Sequence, residues 1–379
     1  MSVIIGADLV PTETNYDLFE NAELETLFGN KLLHIVSKAD FRIFNLETPI
    51  TDNDTPIEKC GPALITPTRV MPGIKALGVD LFTIANNHIL DQGEPGFNNT
   101  VGILKENKID FVGGGKNLSE ASVPYIFDFK EKKIGVYACA EHEFSIATEE
   151  KCGANPFDPL ESLDHIVKLK NQCDFVIVLY HGGKEHYRYP SPNLQRICRK
   201  LVDKGADLVI CQHSHCIGCE EKYNKGTIVY GQGNFIFDYS SSEFWQTSLL
   251  IELTENLDLI YIPIVKNKNT VDLPHKEDSI KILKAFEARS EEIRSHNFIE
   301  ENYRDFSNSV LNNYLWEFYG GKTNILFRII NKLSGYRYIS WIIKRRYQSA
   351  KLCNIQNFIE CESIRELVVS GLKAKQCRR

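Results

Sequence analysis

Five places in the sequence bring side chains that bind metals directly after an apolar run. They are Asp8 after VIIGA, Glu47 after FRIFNL, Asn87 and His88 after LFTIAN, His181 after FVIVLY, and His213 with His215 after DLVICQ. Carboxylates, an amide oxygen and imidazoles together suit borderline divalent metals such as Mn, Fe or Zn. The pattern therefore predicts a divalent-metal site.

Each of these residues alone also has an ordinary structural explanation. An Asp after a strand is usually a turn residue or a helix cap, which applies to Asp8. Glu47 by itself reads as a surface acid, and a single histidine at a strand end is more often a hydrogen-bonded structural residue than a ligand. Asn86 and Asn87 could form a turn. The recurrence of all five features at the same position relative to a strand favours one shared site.

The apolar runs alternate with helical patterns over about the first 250 residues. Predicted strands cover residues 2–9, 41–47, 80–85, 133–140, 174–181, 206–211, 227–235 and 248–253. They are rich in Val, Ile and Phe and nearly continuous in hydrophobicity, which is typical of strands covered on both faces. Helical patterns lie between them, such as PGFNNTVGILKENK and SPNLQRICRKLVDKG, the second ended by Gly205. The alternation predicts an α/β layered fold whose parallel strands bring their carboxyl ends to one crevice.

Charge divides the chain into two regions. Residues 316–379 hold 13 Lys/Arg and 4 Asp/Glu, a net of +9, whereas the remainder has a net of −15. Residues 1–268 are predicted to form the site-bearing domain, and residues 269–379 a helical, basic extension that the site does not need. Nucleic-acid binding is not expected, because the main domain is acidic.

The chain is predicted to be cytoplasmic. It has no signal-peptide pattern at residues 1–10 and no apolar stretch near the roughly 20 residues of a spanning helix. Its eleven cysteines are an odd number without framework spacing, which indicates reduced thiols. Cys216 and Cys219 form a single CxxC pair, so a redox or zinc role is the less favoured alternative.

The order of the motifs resembles the capsule-synthesis CapA family, the poly-γ-glutamate capsule proteins of the calcineurin-like metallophosphoesterase superfamily. The resemblance covers roughly residues 1–265 and rests on GADL, NLE, ANNHILDQG, HGGKE, QHSH and YGQGNF. It implies a four-layer αββα sandwich around a site for two divalent metal ions.

The resemblance also implies a role for each strand-end residue. Asp8 and His215 would bind the first metal, Asn87, His181 and His213 the second, and Glu47 would bridge the two. His88 resembles the catalytic imidazole beside the metals and is not a ligand. Asp91 either orients His88 or caps the following helix.

The sequence departs from the wider superfamily at two positions. The histidine that often follows the first aspartate is replaced by Val10, so the first metal is short of one ligand. Gln212 stands where glycine often precedes the paired histidines.

Substrate-binding candidates lie on the loops between these motifs. Lys59, Lys184, Glu185 and Arg188 are predicted to contact substrate, although solvated loop charges explain the cations equally well. Glu141 and Glu143 could line the crevice, and the pair Gly233-Asn234 could form its wall.

The strand-end residues favour a dinuclear-metal hydrolase of a phosphoester. The resemblance implies that its substrate is a phosphorylated small molecule or glycan intermediate in capsule or surface-polysaccharide synthesis. One alternative is a factor that makes, exports or cuts poly-γ-glutamate, and another is a non-catalytic capsule-assembly protein. The basic extension could contact the inner face of the membrane or the capsule machinery. The favoured interpretation is that its apolar stripe, Ile329, Ile330 and Leu333, packs on the main domain.

Overall fold

The computed structural model describes residues 2–238, 240–319, 325–335 and 337–376. These residues contain sixteen strands. In chain order the strands are β1 (Ser2–Leu9), β2 (Phe41–Leu46), β3 (Leu81–Thr83), β4 (Asp110–Val112), β5 (Gly114–Gly115), β6 (Tyr125–Phe129), β7 (Lys132–Ala140), β8 (Gly153–Ala154), β9 (Phe175–His181), β10 (Leu208–Gln212), β11 (Glu220–Tyr223), β12 (Gly226–Tyr230), β13 (Asn234–Ile236), β14 (Thr247–Thr254), β15 (Leu259–Asn267) and β16 (Thr270–Asp272).

The same residues contain fourteen α-helices. They are α1 (Tyr16–Glu20), α2 (Leu24–Phe28), α3 (Asn30–Lys38), α4 (Met71–Leu77), α5 (Gly93–Glu106), α6 (Leu118–Ala121), α7 (Ser162–Lys170), α8 (Pro192–Asp203), α9 (Lys276–Glu292), α10 (Phe298–Phe318), α11 (Ile325–Leu333), α12 (Arg337–Arg346), α13 (Ser349–Glu360) and α14 (Glu362–Gln376). Within this part of the chain, none of the helices has the length and apolar character needed to cross a membrane.

Two large sheets carry the fold. The eight-stranded sheet has the order β16-β15-β14-β1-β2-β3-β4, with β13 pairing to β1 as well. The six-stranded sheet has the order β11-β12-β10-β9-β7-β6. The neighbouring pairs β1-β2, β2-β3, β7-β9, β9-β10 and β10-β12 are all parallel. The loops that follow these strands therefore leave each sheet at its carboxyl edge.

Three apolar clusters separate four layers. Val3, Ile43 and Leu81 of one sheet meet Val136 and Ile177 of the other in a buried cluster between the sheets. A second cluster joins the outer face of the larger sheet to α1 through α5, and a third joins the outer face of the smaller sheet to α7 and α8. Every strand of the parallel cores is thus covered on both faces, and the predicted αββα sandwich is confirmed.

The structure corrects two of the predicted elements. Residues 227–235 are not one strand, because the chain leaves the smaller sheet after β12 and enters the larger sheet as β13. Gly231 and Gly233 make this turn with φ of 111° and 81°, which glycine adopts without strain. The polar segment NKNTVDLPHKED, residues 267–278, has the composition of a linker, but it contains the end of β15 and the edge strand β16. The two strands form a short hairpin of mostly polar residues, so hydrophobic periodicity does not reveal it.

The chain forms two compact units, Met1–Glu300 and Glu301–Arg379. Helix α9 belongs to the first unit, where Phe286 is buried between the sheets. Arg289 Nε donates to the carbonyl of Gly218 at 2.7 Å, and Ser290 Oγ accepts from the backbone of Glu220 at 2.8 Å. It stays a prediction that the metal site needs no residue beyond 268.

The second unit is helical, as the sequence predicts. Leu315, Trp316 and Ile343 form its small buried cluster. Within this unit Ile329, Ile330 and Leu333 are exposed, and their packing on the main domain stays a prediction. Phe327 of α11 and Ile339 and Ile342 of α12 pack against the buried cluster instead of the stripe.

We expect a chain that ends at Glu300 to melt at a higher temperature than one that ends at Lys268. The shorter chain loses Phe286, and removing a buried phenylalanine side chain typically costs about 3–5 kcal/mol of unfolding free energy. Thermal unfolding followed by circular dichroism would measure the difference, with Phe286→Ala in the longer chain as the matched control. Equal melting temperatures would show that α9 does not support the sandwich and would favour the boundary at residue 268.

Candidate metal centre

The candidate site lies where the carboxyl edges of the two sheets meet. Asp8 is near the end of β1, Glu47 follows β2, and His181 ends β9 in the other sheet. Asn45 of β2 joins them: its amide nitrogen lies 2.8 Å from Asp8 Oδ1 and 3.3 Å from His181 Nδ1. One buried amide therefore fixes both an acid of the first sheet and an imidazole of the second.

The loop after β10 carries the paired histidines in an uncommon backbone conformation. His213 has φ of 88° and His215 has φ of 55°, in the region that residues with a Cβ seldom adopt. Such conformations persist where surrounding contacts enforce them, and they concentrate at functional sites. Here they place both imidazoles beside the other candidate ligands, with ring centroids of His181 and His213 4.9 Å apart.

Two groups of potential ligands share one residue. Among the described residues, Asp8, Glu47 and His215 form the first group, and Glu47, His181 and His213 the second. Within each group the ligand atoms lie no more than 4.8 Å apart. Asn87 adjoins the second group, since its Oδ1 lies 3.0 Å from His181 Nε2. The arrangement brings together all six predicted ligands, with Glu47 common to both groups; their coordination of metal stays a prediction.

Three of the four carboxylate oxygens of the site are buried without a hydrogen bond. Asp8 and Glu47 are fully buried, and Asp8 Oδ2 and both oxygens of Glu47 find no partner among the described residues. Burying a charged oxygen without compensation is costly, so buried charges are paired or bind metals. The orphan oxygens, the imidazoles and the spacing fit divalent metal ions.

The acid pKa values reflect this burial. Removal from water raises the pKa of Asp8 to about 7, and the neighbouring Glu47 carboxylate adds to the effect, against the opposing influence of His181 and His215. Burial likewise raises the pKa of Glu47 above its ordinary value. Divalent cations would reverse both effects by stabilising the charged carboxylates.

The imidazoles divide according to their neighbours. Burial lowers the pKa of His181 to about 4 and lowers the pKa of His213 as well, so both are neutral and able to bind metal. Burial also acts to lower the pKa of His215, but the Glu47 and Asp8 carboxylates outweigh it and raise that pKa. The two carboxylates therefore favour the protonated form of His215 more than burial disfavours it.

His88 is held by a buried ion pair and lies outside both ligand groups. Its Nδ1 is 2.5 Å from Asp91 Oδ2, and Asp91 Oδ1 is 2.6 Å from Lys59 Nζ. The side chains of Asp91 and Lys59 are 0% and 2% exposed. Because Nδ1 contacts Asp91, Nε2 is the ring nitrogen of His88 that can contact a substrate. Asp91 thus contacts the imidazole of His88 directly, and its orienting role stays a prediction.

Asp91 and Gln92 also fasten the loop that carries Lys59. Asp91 Oδ2 accepts from the backbone of Leu64 at 2.6 Å, and Gln92 Oε1 accepts from the backbone of Thr55 at 2.7 Å. Gln92 Nε2 donates to the carbonyl of Leu64 at 2.9 Å. The DQG motif therefore connects the orientation of His88 to the position of a long loop.

The candidate substrate residues occupy different surroundings. Lys59 is buried in its ion pair, whereas Lys184 and Glu185 are exposed, with Glu185 Oε1 3.9 Å from His213 Nε2. Arg188 donates to the carbonyl of Ile217 at 3.0 Å and pairs with Glu243 at 3.0 Å. Substrate contact by all four stays a prediction, and Lys184 and Glu185 are the two that solvent reaches freely.

The sequence does not indicate a role for Asn45, and it places Glu143 and Asn234 at the crevice without their contacts. Glu143 Oε2 accepts from Asn87 Nδ2 at 3.3 Å, and Glu143 does lie along the crevice. Asn234 Oδ1 lies 2.8 Å from His215 Nδ1, while its Nδ2 is buried without a partner in the described structure. Asn45 lies in the NLE motif and Asn234 in the YGQGNF motif. The sequence of a strand does not show which atoms an amide side chain contacts. The thiols of Cys216 and Cys219 are buried and belong to neither ligand group.

A protein-family model matches the sheet-bearing region of the chain. The family described as bacterial capsule synthesis protein PGA_cap matches residues 3–239, which is more than half of the chain. All six predicted ligands and His88 fall inside the matched residues.

Two curated relatives match the chain in part. The capsule biosynthesis protein CapA of Bacillus anthracis is 31% identical over 176 residues, which cover 45% of this chain and 43% of that protein. The PGA biosynthesis protein CapA of Bacillus subtilis strain 168 is 30% identical over 172 residues, which cover 44% of each. The matched segment spans less than half the length of either relative.

Solved structures resemble the chain more distantly. A phosphatase of Mycoplasma pneumoniae is 17% identical with a TM-score of 0.44, and covers 71% of this chain and 94% of that one. A 5'-nucleotidase of Candida albicans SC5314 is 11% identical with a TM-score of 0.41, and covers 82% of this chain and 58% of that one. At these scores neither structure bears on the chemistry of the site.

We expect metal binding to release protons and to weaken as the pH falls. Because the pKa of Asp8 is raised to about 7, its folded carboxyl keeps a proton that metal must displace, so affinity rises as pH rises through about 7. Titration calorimetry with Mn²⁺ in buffers of different ionisation enthalpy, between about pH 6 and about pH 8, measures the released protons. Asp8→Asn should release fewer protons than the exposed control Asp128→Asn. Equal release in both variants would contradict the assignment of Asp8.

Proposed function

We propose that this chain, which belongs to the PGA_cap family of bacterial capsule synthesis proteins, is a hydrolase that uses two divalent metal ions to cleave a phosphoester. Membership confirms the resemblance to CapA proteins that the sequence motifs indicate. The hydrolytic activity is inferred from the site rather than from the family.

The shared carboxylate of Glu47 is the observation that carries the proposal. It is fully buried, neither of its oxygens is hydrogen-bonded within the described structure, and it belongs to both ligand groups, with Oε1 3.3 Å from His181 Nε2. A structural site for one ion needs a closed set of ligands, whereas two adjoining groups that share an acid are typical of two-metal hydrolases. Ions bound there would polarise a phosphoryl oxygen and activate water for attack.

These ions would be held by the residues of the two ligand groups, with Asn87 beside them. The two groups comprise Asp8, Glu47, His181, His213 and His215. The carboxylates of Asp8 and Glu47 supply the negative charge of the site, and Asn87 adds an oxygen without adding charge. Mn, Fe and Zn all suit this mixture of ligands.

His88 is suited to move a proton at the leaving group. Asp91 holds Nδ1 of the imidazole, which fixes the ring and leaves Nε2 as the donor. Lys59 keeps Asp91 charge-balanced in a buried position, so the orienting carboxylate does not need solvent. A proton placed on the departing alkoxide lowers the barrier to cleavage without a covalent intermediate.

Capsule or surface-polysaccharide synthesis is the proposed setting, with a phosphorylated small molecule or glycan intermediate as substrate. The family description and the name of the Bacillus anthracis relative support this setting. The name of the Bacillus subtilis relative, a PGA biosynthesis protein, supports a second candidate function, in which the same site acts in the synthesis, export or hydrolysis of poly-γ-glutamate.

Hydrolysis of p-nitrophenyl phosphate by the metal-loaded protein tests the proposal. We expect activity with Mn²⁺, loss with a chelator, and loss of both metal and activity in Glu47→Gln, because Glu47 serves both groups. The exposed Glu131→Gln is the matched control and should keep both. Bound metal without turnover on this substrate or on a panel of phosphorylated sugars would favour a non-catalytic assembly role. Cleavage of poly-γ-glutamate alone would favour the second candidate.

We expect His88→Asn to keep its metal and lose most of its turnover. Asparagine cannot supply a proton, and loss of general acid–base catalysis typically costs about 10²–10⁴-fold in rate. Metal content by mass spectrometry and kcat on p-nitrophenyl phosphate separate the two effects, with the exposed His34→Asn as control. Metal loss equal to that of His213→Ala would instead identify His88 as a ligand.

A further inference from the structure

The segment from α11 to α12 combines exposed apolar side chains with an unbroken positive charge. Residues 325–346 contain six Lys/Arg and no Asp or Glu. Neither the ligand groups nor the proposed reaction makes use of this segment.

Helix α11 presents a line of apolar residues to solvent. Ile325, Ile329 and Leu333 recur every fourth residue, so they lie along one face of the helix. They are 78%, 49% and 83% exposed. Phe327, on another face, packs against the buried cluster of Leu315, Trp316 and Ile343. The inner apolar face of this helix therefore packs against the buried cluster, and its outer apolar face is exposed.

Helix α12 adds an aromatic side chain with basic neighbours. Trp341 is 55% exposed, and the guanidinium of Arg345 lies 5.5 Å from its ring centroid. Lys344, Arg345 and Arg346 are exposed at the end of the same helix, while Ile343 points into the cluster. Tryptophan beside arginine and lysine is the composition that favours the boundary between lipid headgroups and acyl chains.

We propose that the exposed faces of α11 and α12 bind the surface of an anionic lipid bilayer. Short amphipathic helices of this kind lie in the plane of the interface, with apolar side chains inserted and basic side chains among the headgroups. Apolar contact alone would also suit a second copy of this chain. The six like charges would however repel across such a contact, whereas anionic lipids attract them. The proposal is independent of the reaction at the metal centre.

Vesicle flotation of the full chain provides the test. We expect binding to vesicles of phosphatidylcholine with about one third phosphatidylglycerol, weak binding to phosphatidylcholine alone, and release by salt. Lys344→Gln, Arg345→Gln and Arg346→Gln combined should weaken binding by about two orders of magnitude. The matched control combines Lys31→Gln, Lys75→Gln and Lys225→Gln, which removes the same charge from exposed sites in the first unit. It should leave binding unchanged.

A second pair of variants tests the apolar contribution. Ile325→Ser, Ile329→Ser and Leu333→Ser combined should also abolish flotation, while the exposed control Leu160→Ser should not. Tryptophan emission should shift to the blue on adding anionic vesicles, and the shift should disappear in Trp341→Phe. Helical content by circular dichroism checks that each variant is folded. Should the apolar variant misfold, the charge variant and Trp341→Phe decide the matter.

Three outcomes would overturn the proposal. The first is equal binding to neutral and anionic vesicles without salt dependence. The second is anionic binding that the charge variant and its control reduce to the same extent, which would reflect net charge alone. The third is absence of vesicle binding together with a dimer that the apolar variant converts to monomer, which would assign this face to a second copy of the chain.

Discussion

The buried negative charge of Glu47 is the constraint on which the rest of the site depends. Its carboxylate has no exposed surface and no hydrogen bond within the described structure, and Asp8 beside it is equally buried. Burial raises the pKa of both acids, and the Glu47 carboxylate raises the pKa of Asp8 further. Cations relieve that cost of ionisation, so the geometry that makes the metal-free site unfavourable also makes it suited to bind metal.

The alignment of the two sheets places those acids among imidazoles. Asn45 connects Asp8 with His181, and the amide of Gln212 in the smaller sheet donates to the carbonyl of Gly6 in the larger one. Gln232 lies in the crossing between the sheets and donates to the carbonyl of Ile5. These buried amides satisfy backbone groups at the sheet ends, and they hold the carboxyl edges in a register that brings ligands from both sheets together.

The charges around His88 are balanced, which allows this proton donor to lie beside the acidic metal site. Lys59 and Asp91 form a nearly solvent-free pair that contacts His88, and the loop bearing Lys59 is fastened by Asp91 and Gln92. The carboxylate of Asp91 is thus neutralised from one side and hydrogen-bonded from the other. A substitution in the loop would act on the imidazole through Asp91, although the loop contributes no ligand to either group.

Much of the fold and of the candidate site was determined by the sequence alone. Apolar runs that end in Asp8, Glu47, Asn87, His181 and His213 are local features, and period and composition identify them without any knowledge of contacts. Together with the motif order, they indicated the layered fold and the ligand set. What the sequence left open depends on distance in space. The split of residues 227–235 between two sheets, the burial of Lys59 against Asp91, and the roles of Asn45 and Asn234 all arise between residues far apart in the chain. Only the tertiary structure decides these, because a polar side chain has the same local signature whether solvent or a buried partner satisfies it.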